Sequence, residues 1–242
     1  MSFRFNWKIT VFTAVFAGSF IYLGIWQLDR AEEKQWLLDE LQERRQQEGV
    51  SLSALPEDED KLASRAVEIE GVYDPGHLFL LDNRVLEGRV GFEVLVPFYV
   101  PEREITVLVN RGFVPMGRTR SETPDIPPLP EGEQRISGYI YVPEENPLID
   151  KSDGNLVGRP PWPIIVQVSN PALLQLELDR ELFPYVIRLA EDDPFALPRD
   201  WRITTMMPHR HWGYAAQWFL MALVVVVAWL AFGLRKDYDR VD

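Results

Sequence analysis

Two long uncharged apolar segments, one near each end of the chain, constrain its fold more than any other feature of the sequence. The first, ITVFTAVFAGSFIYLGIW, covers residues 9–26, and the second covers residues 212–234. At 1.5 Å per helical residue, either segment is long enough to cross a hydrocarbon core of about 30 Å. Rings suited to the headgroup region lie near their ends, at Trp7, Trp26, Trp212 and Trp229. The sequence therefore predicts two transmembrane helices in a lipid bilayer.

Basic residues in the two short tails predict how these helices are oriented. Arg4 and Lys8 precede the first segment, and Arg235, Lys236 and Arg240 follow the second. Because basic residues mark the cytoplasmic side, residues 1–8 and 235–242 are expected in the cytoplasm and residues 27–211 outside it. The first segment runs into LGIWQLDR and not into the small residues of a cleavage site, so we expect an uncleaved anchor.

Composition excludes several classes of function. The chain carries a net charge of −12 and no cysteine, which argues against nucleic-acid binding, disulfides, thiolate metal sites and cysteine nucleophiles. The sequence lacks the serine-hydrolase, zinc-protease, phosphate-loop and dinucleotide-binding motifs. Short tails also leave no room for the output module of a receptor. We therefore expect a protein that is not an enzyme and has no structural metal.

Residues between the two segments predict a helical neck and then a β-domain. QLDRAEEKQWLLDELQERRQQ reads as a solvated helix within a neck and linker, residues 27–65. Six runs with alternating apolar residues follow within residues 66–211: AVEIEGVY, HLFLLDNRV, VGFEVLVPFYV, EITVLVNRGFVP, QRISGYIYV and YVIRLA. Short gaps between most runs predict a mainly antiparallel sheet in a small barrel or sandwich. The fold class is therefore an α+β membrane protein.

Three further stretches of this domain have their own signatures. Residues 115–133 and 143–163 are rich in proline and are expected to be loops. The stretch SNPALLQLELDRELFP predicts a short helix, with Asn170 as its cap and Pro171 in its first turn.

Two of the three histidines, His209 and His211, precede the second apolar segment. On a helix, His211 shares a face with Tyr214 and Trp218, whereas His209 points about 200° away. An imidazole here is either an interfacial residue or an axial ligand of haem. A third alternative is copper, because Met206 and Met207 add thioethers beside the imidazoles.

Two asparagine–arginine pairs end strands: Asn83–Arg84 and Asn110–Arg111. They indicate either local turn chemistry or guanidinium groups aimed at a partner or at carboxylates. Small residues in the first apolar segment predict close packing against the second helix. Ala14, Gly18 and Ile21 are expected on the contact face, with Ala17 and Gly24 beside it.

Four motifs in this order resemble the Surfeit locus protein 1 family over nearly the whole chain. They are LGIWQLDR, DNRVLEGRVGFEVLVPF, VLVNRGFVP and HWGYAAQWF. The matching positions are Trp26, Gln27 and Arg30 in the first helix, Gly88, Gly91, Asn110, Arg111 and Gly112 in the domain, and His211 and Tyr214 in the second helix. His209 departs from the family, which usually has a polar residue such as asparagine there.

The resemblance implies an assembly factor for haem–copper cytochrome c oxidase in the bacterial plasma (inner) membrane, with its central domain in the periplasm. It implies binding of a-type haem and help with haem insertion into the large oxidase subunit, with haem A synthase as a further candidate partner. The cofactor-binding residues would be His211, Tyr214, Trp218 and His209. The partner-binding residues would be Trp26, Gln27, Arg30, Arg84, Asn110 and Arg111. A scaffold that holds an assembly intermediate without binding haem is the competing function, and a copper chaperone using Met206, Met207, His209 and His211 is the third.

Overall fold

The computed structural model describes residues 5–117, 122–143, 162–201 and 207–234. These residues fall into two compact units. One unit contains most of the N-terminal helix together with the C-terminal helix, and the other contains the chain between them, residues 41–202.

Helix α1 (Trp7–Gln46) and helix α3 (Pro208–Gly233) are long and apolar enough to cross a membrane, with mean hydropathies of 1.8 and 2.2 over their most apolar windows. Helix α1 continues from its apolar part into the charged neck, as predicted. Proline fits the first turn of a helix because its missing N–H needs no partner there, and α3 begins at Pro208. Two helices of membrane-spanning length therefore flank the β-domain, as expected.

The apolar part of α1 packs antiparallel against α3. Trp229 Nε1 donates a hydrogen bond to Thr10 Oγ1 over 3.0 Å, and the rings of Phe20 and Trp218 stack with centroids 5.7 Å apart. Between Thr10 and Phe20, and between Trp218 and Trp229, each helix rises by about 15 Å. These two contacts therefore fix the helix pairing over several turns.

Small residues form the contact face of α1, but the contact is made by the two that were predicted beside the expected face, not by the face itself. Ala17 and Gly24 are buried, and a Cβ atom on Gly24 would lie 2.6 Å from the Phe219 ring. Ile21 is 45% exposed and Gly18 has open space around it, and Ala14 is also exposed. The expected face Ala14–Gly18–Ile21 was wrong because spacing alone does not orient a helix that is apolar on all sides.

The β-domain contains seven strands in one sheet with the order β1-β5-β7-β4-β3-β2-β6. A further pairing of β1 with β3 closes β1, β5, β7, β4 and β3 into a small barrel. The strands are β1 (Ala66–Tyr73), β2 (Phe79–Leu86), β3 (Arg89–Val100), β4 (Ile105–Pro115), β5 (Glu133–Tyr141), β6 (Ile164–Val166) and β7 (Leu182–Leu189). All six predicted strands are present, and the α+β class is confirmed.

Three central strands are buried on both faces. In β4, Val107 and Val109 point into the barrel core, whereas Leu108 joins a second cluster. The same alternation places Ile187 of β7 in the first cluster and Val186 in the second. Helix α2 (Pro171–Leu178) supplies Leu174 and Leu178 to the second cluster. Burial on both faces explains why these strands read as almost continuous apolar runs.

The sheet departs from the prediction at β6 and in two parallel pairings. Strand β6 has three residues and begins directly after the loop predicted at residues 143–163, where no element was predicted, and it pairs parallel with β2. Strand β7 pairs parallel with β4 and antiparallel with β5. The loop predicted at residues 143–163 lies almost entirely outside the described residues. Helix α2 has the predicted cap, because Asn170 Oδ1 accepts from Ala172 N over 3.0 Å.

Gly112 allows the segment after β7 to lie directly against β4. Its φ is +121°, and a Cβ atom there would lie 2.7 Å from the carbonyl oxygen of Leu197. The neighbouring backbone pairs with this segment through Leu197 N to Arg111 O and Phe113 N to Pro198 O, each 2.7 Å long. Only glycine combines this conformation with this close approach, so Gly112 sets the path of residues 195–201.

Gly112→Ala is expected to destabilise the β-domain by roughly 2 kcal/mol or more, because it adds backbone strain to a clash with a carbonyl group. Gly132→Ala is the matched control, since Gly132 also has a positive φ of +78° but open space around it. Denaturant unfolding of the full chain in detergent, followed by circular dichroism of the sheet, measures both. Equal losses for the two variants would contradict the close-approach role.

Gly24→Leu is expected to lower the stability of the helix pair by about 1–3 kcal/mol, because the new side chain overpacks the contact with Phe219. Gly18→Leu should leave stability unchanged within about 0.5 kcal/mol, since that position faces open space. Thermal unfolding in detergent, followed by tryptophan fluorescence, compares the two variants. A larger loss for Gly18→Leu would show that the helices pair through another face.

Candidate functional site

His211 and Gln27 form a buried polar pair between the two long helices. His211 is 8% exposed, and its Nδ1 lies 2.7 Å from Gln27 Oε1. An amide oxygen only accepts hydrogen bonds, so this contact places the imidazole proton on Nδ1. Nε2 is then left with its lone pair, and it is buried without a hydrogen-bond partner among the described residues. The pair therefore holds an oriented imidazole whose ligand atom is unsatisfied.

The other predicted cofactor residues have different surroundings. Trp218 is half-buried and stacks on Phe20, whereas Tyr214 is 45% exposed and His209 is exposed. His209 and His211 thus differ in burial, in keeping with their predicted separation around the helix. Of the residues considered for copper, Met207 is exposed and Met206 lies outside the described residues.

Gln27 has two neighbours from the same predicted signature of the first helix. The guanidinium of Arg30 lies 5.8 Å from the centre of the Trp26 ring and forms an ion pair with Glu33. Trp26 is 42% exposed. Trp26 and Arg30 therefore remain accessible for contacts with a partner, whereas Gln27 is engaged with His211.

In the β-domain, Asn110 of the second predicted asparagine–arginine pair makes two hydrogen bonds. Asn110 Oδ1 accepts from Gly112 N over 3.1 Å, which is the local turn chemistry that the sequence left open. Its Nδ2 donates to Glu93 Oε2 over 2.6 Å, and Glu93 Oε1 lies 3.8 Å from Arg84 Nε. Asn110 is therefore part of a polar chain that leads to Arg84.

Arg111 is committed to the fold of its own domain. It is 2% exposed, and it donates to Phe195 O over 3.0 Å and to Pro127 O over 2.9 Å. Burial lowers the pKa of its guanidinium, while Tyr73 and Asp193 act in the opposite direction. These bonds attach two loops to β4. A contact between Arg111 and a partner stays a prediction, because this side chain is buried.

Sequence reasoning missed two further arginines that join Arg84 around one concave cavity of about 520 Å³. Arg188 comes from β7 and Arg199 from the segment that Gly112 positions. Trp201 of the same segment also lines the cavity. The arginine in the run YVIRLA was visible in the sequence, but only the parallel pairing of β7 with β4 brings it beside Arg84 and Glu93.

Fold and site define a membrane-anchored β-barrel protein with an oriented histidine between its two long helices. Residues 14–223 match the model of the SURF1 family. This match covers most of the chain, and the chain belongs to the SURF1 family. The resemblance noted from the four sequence motifs is thereby confirmed.

Individual relatives support the same membership. The chain is 31% identical to Surfeit locus protein 1 of Takifugu rubripes over 54% of this chain and 61% of that protein. It is 32% identical to Surfeit locus protein 1 of Homo sapiens over 52% of this chain and 49% of that protein. A SURF1-like protein of Rickettsia conorii (strain ATCC VR-613 / Malish 7) is 25% identical over 92% of this chain and 89% of its own length.

In the first two alignments the chain spans about half to three fifths of the vertebrate relatives. The alignment with the Rickettsia protein, by contrast, covers about nine tenths of both proteins.

Proposed function

We propose that this protein is an assembly factor for haem–copper cytochrome c oxidase that binds a-type haem through His211 and assists its insertion into the large oxidase subunit. Members of the SURF1 family are known as cytochrome c oxidase assembly factors, and family membership supports the general role. The unsatisfied, oriented Nε2 of His211 is the observation that supports the haem-binding step.

The residues around His211 fit a haem ligand. Imidazole is a common axial ligand of haem iron, and a ligating histidine usually donates its other N–H to an acceptor. Gln27 supplies that acceptor, so it acts as a positioning residue. When bound, the haem would be the cargo that is delivered to the oxidase.

The burial of Nε2 suits a protein that both binds and releases haem. This atom is buried, so ligation requires a covering group to move aside. That movement costs free energy and lowers the affinity for haem. If only a fraction of the molecules has the site open, the apparent affinity falls in proportion to that fraction. Intermediate affinity favours transfer over storage.

The remaining expectations belong to the same proposal. Partner contacts are assigned to Trp26, Gln27, Arg30, Arg84, Asn110 and Arg111, with the oxidase subunits as partners and haem A synthase as a further candidate. The cofactor set includes Tyr214, Trp218 and His209 beside His211. The bacterial inner membrane, with both termini in the cytoplasm, is the proposed location.

His211→Ala is expected to abolish haem retention, and Gln27→Leu is expected to weaken it by about 10-fold or more, because the acceptor that orients the ring is lost. His209→Ala is the comparison variant at the exposed histidine and should lose less pigment than His211→Ala. Haem per protein and the absorption spectrum are measured on full-length variants purified from cells that make haem A. Oxidase activity is measured in parallel in a deletion strain.

The outcomes of this experiment separate the two main functions. If His211→Ala keeps its pigment and its spectrum, the ligand role is wrong. If no variant, including the unmodified chain, carries haem while all support oxidase maturation, the protein is a scaffold that does not bind haem. Metal analysis of the same samples tests copper binding by Met206, Met207, His209 and His211.

The proposed orientation is tested with reporter fusions in a bacterial host. Alkaline phosphatase fused after Pro143 should be active, because the basic tails place the domain outside the cytoplasm. The same enzyme fused after Asp242 should be inactive. The reverse pattern would invert the orientation and remove the periplasmic location of the barrel.

A further inference from the structure

The cavity of about 520 Å³ shares no residue with the proposed haem site. All its lining residues belong to the β-domain unit. Its wall includes the β2–β3 hairpin, whose turn residues Glu87 and Gly88 both have positive φ angles, as a two-residue hairpin turn requires. Arg188 and the segment at Arg199 line it as well. Its volume falls within the range of small-molecule sites.

Arg188 is held in this wall by aromatic rings. Its guanidinium carbon lies 3.6 Å from the centre of the Tyr141 ring and 4.8 Å from that of Trp201. Stacking occupies the face of the guanidinium and leaves its in-plane N–H groups for hydrogen bonds. Its Nε is buried and has no partner in the part of the chain that the structure describes. Burial lowers the pKa of this guanidinium, while Tyr141 and Glu93 act in the opposite direction.

Two other arginines share this unsatisfied state. Arg84 Nε is buried without a hydrogen bond among the described residues, and it forms only a long ion pair with Glu93, whose Oε1 is 3.8 Å away. Arg199 donates to the carbonyls of Leu197 and Ala190, yet its Nε is also buried without a described partner. These side chains are half-buried, but a buried Nε–H without an acceptor is costly, because the water it loses is not replaced.

We propose that this cavity binds a small organic carboxylate, whose oxygens accept hydrogen bonds from Arg188 and Arg84 and whose apolar body contacts Val85, Leu86 and Phe113. A planar carboxylate matches the in-plane donors of a stacked guanidinium. All five residues line the same cavity.

The other charges of the cavity favour a monoanion. Glu87, Glu93 and Asp200 also line it, and they repel a doubly charged phosphate more strongly than a singly charged carboxylate. The apolar part of the wall favours a ligand with a hydrocarbon body over a bare inorganic ion. A carboxylate attached to an apolar group satisfies both conditions.

The test uses the full chain in detergent and three probes: 3-phenylpropionate, its neutral amide, and inorganic phosphate. Saturation-transfer NMR titrations give the affinities. We expect 3-phenylpropionate to bind and the amide and phosphate to bind at least about tenfold more weakly, as the loss of a charge-assisted hydrogen bond implies. Equal binding of the amide would overturn the role of charge, and equal binding of phosphate would overturn the selection of a planar carboxylate.

Variants locate the binding to the cavity. Arg188→Gln and Arg84→Gln should each weaken 3-phenylpropionate binding at least about tenfold. Arg84 has a 40% exposed side chain, so its variant reports on binding even if Arg188→Gln unfolds the domain. Arg135→Gln is the matched control, because Arg135 is exposed and pairs with Glu68 on β1, and it should bind normally. Unchanged affinity in Arg84→Gln, or an equal loss in Arg135→Gln, would overturn the site.

Discussion

The burial of β3, β4 and β7 on both faces is the constraint on which the rest of the β-domain depends. One face of these strands fills the barrel, and the other is covered by α2 and by the β2 and β6 edge of the sheet. A strand buried on both faces has no solvent-facing side on which to place polar groups. Polar residues can therefore enter only where a strand ends or bends, and there they must find partners inside the protein.

That requirement explains the polar cluster formed by the middle of β4 and the end of β7, where the register of β3 shifts between Glu93 and Leu95. Asn110 is 2% exposed and has both its amide oxygen and its amide nitrogen engaged. Arg111 next to it is satisfied by loop carbonyls. Arg188 pairs in register with Asn110 across the parallel strands, but it is held mainly by stacking. Asn110 and Arg111 on β4 thus have hydrogen-bond partners for their buried polar atoms. Arg188, which faces Asn110 on β7, has a buried Nε without a partner among the described residues.

The sequence predicted the elements of this fold better than their contacts. Strand runs and helix caps are local patterns, and the helices, the six longer strands and the Asn170 cap were all correct. Strand β6 was missed because three residues beside a proline are too few to show the alternation of apolar and polar residues that marks a strand. The contact face of α1 was wrong because a helix that is apolar all round has no amphipathic stripe to read. Arg188 was missed because its neighbours come from a parallel pairing that no local pattern encodes.

The two candidate sites follow the same physical rule. In each, one part of a buried polar group is fixed by a neighbour and another part is left unsatisfied: Gln27 fixes Nδ1 of His211, and two aromatic rings fix the plane of Arg188. A fold that only needed stability would replace such groups with apolar ones, because that change is often neutral or favourable. Groups that are oriented but incomplete are instead suited to an interaction that is completed from outside, by iron at Nε2 and by carboxylate oxygens at the guanidinium. The geometry of the fixed part then determines which ligand can complete it.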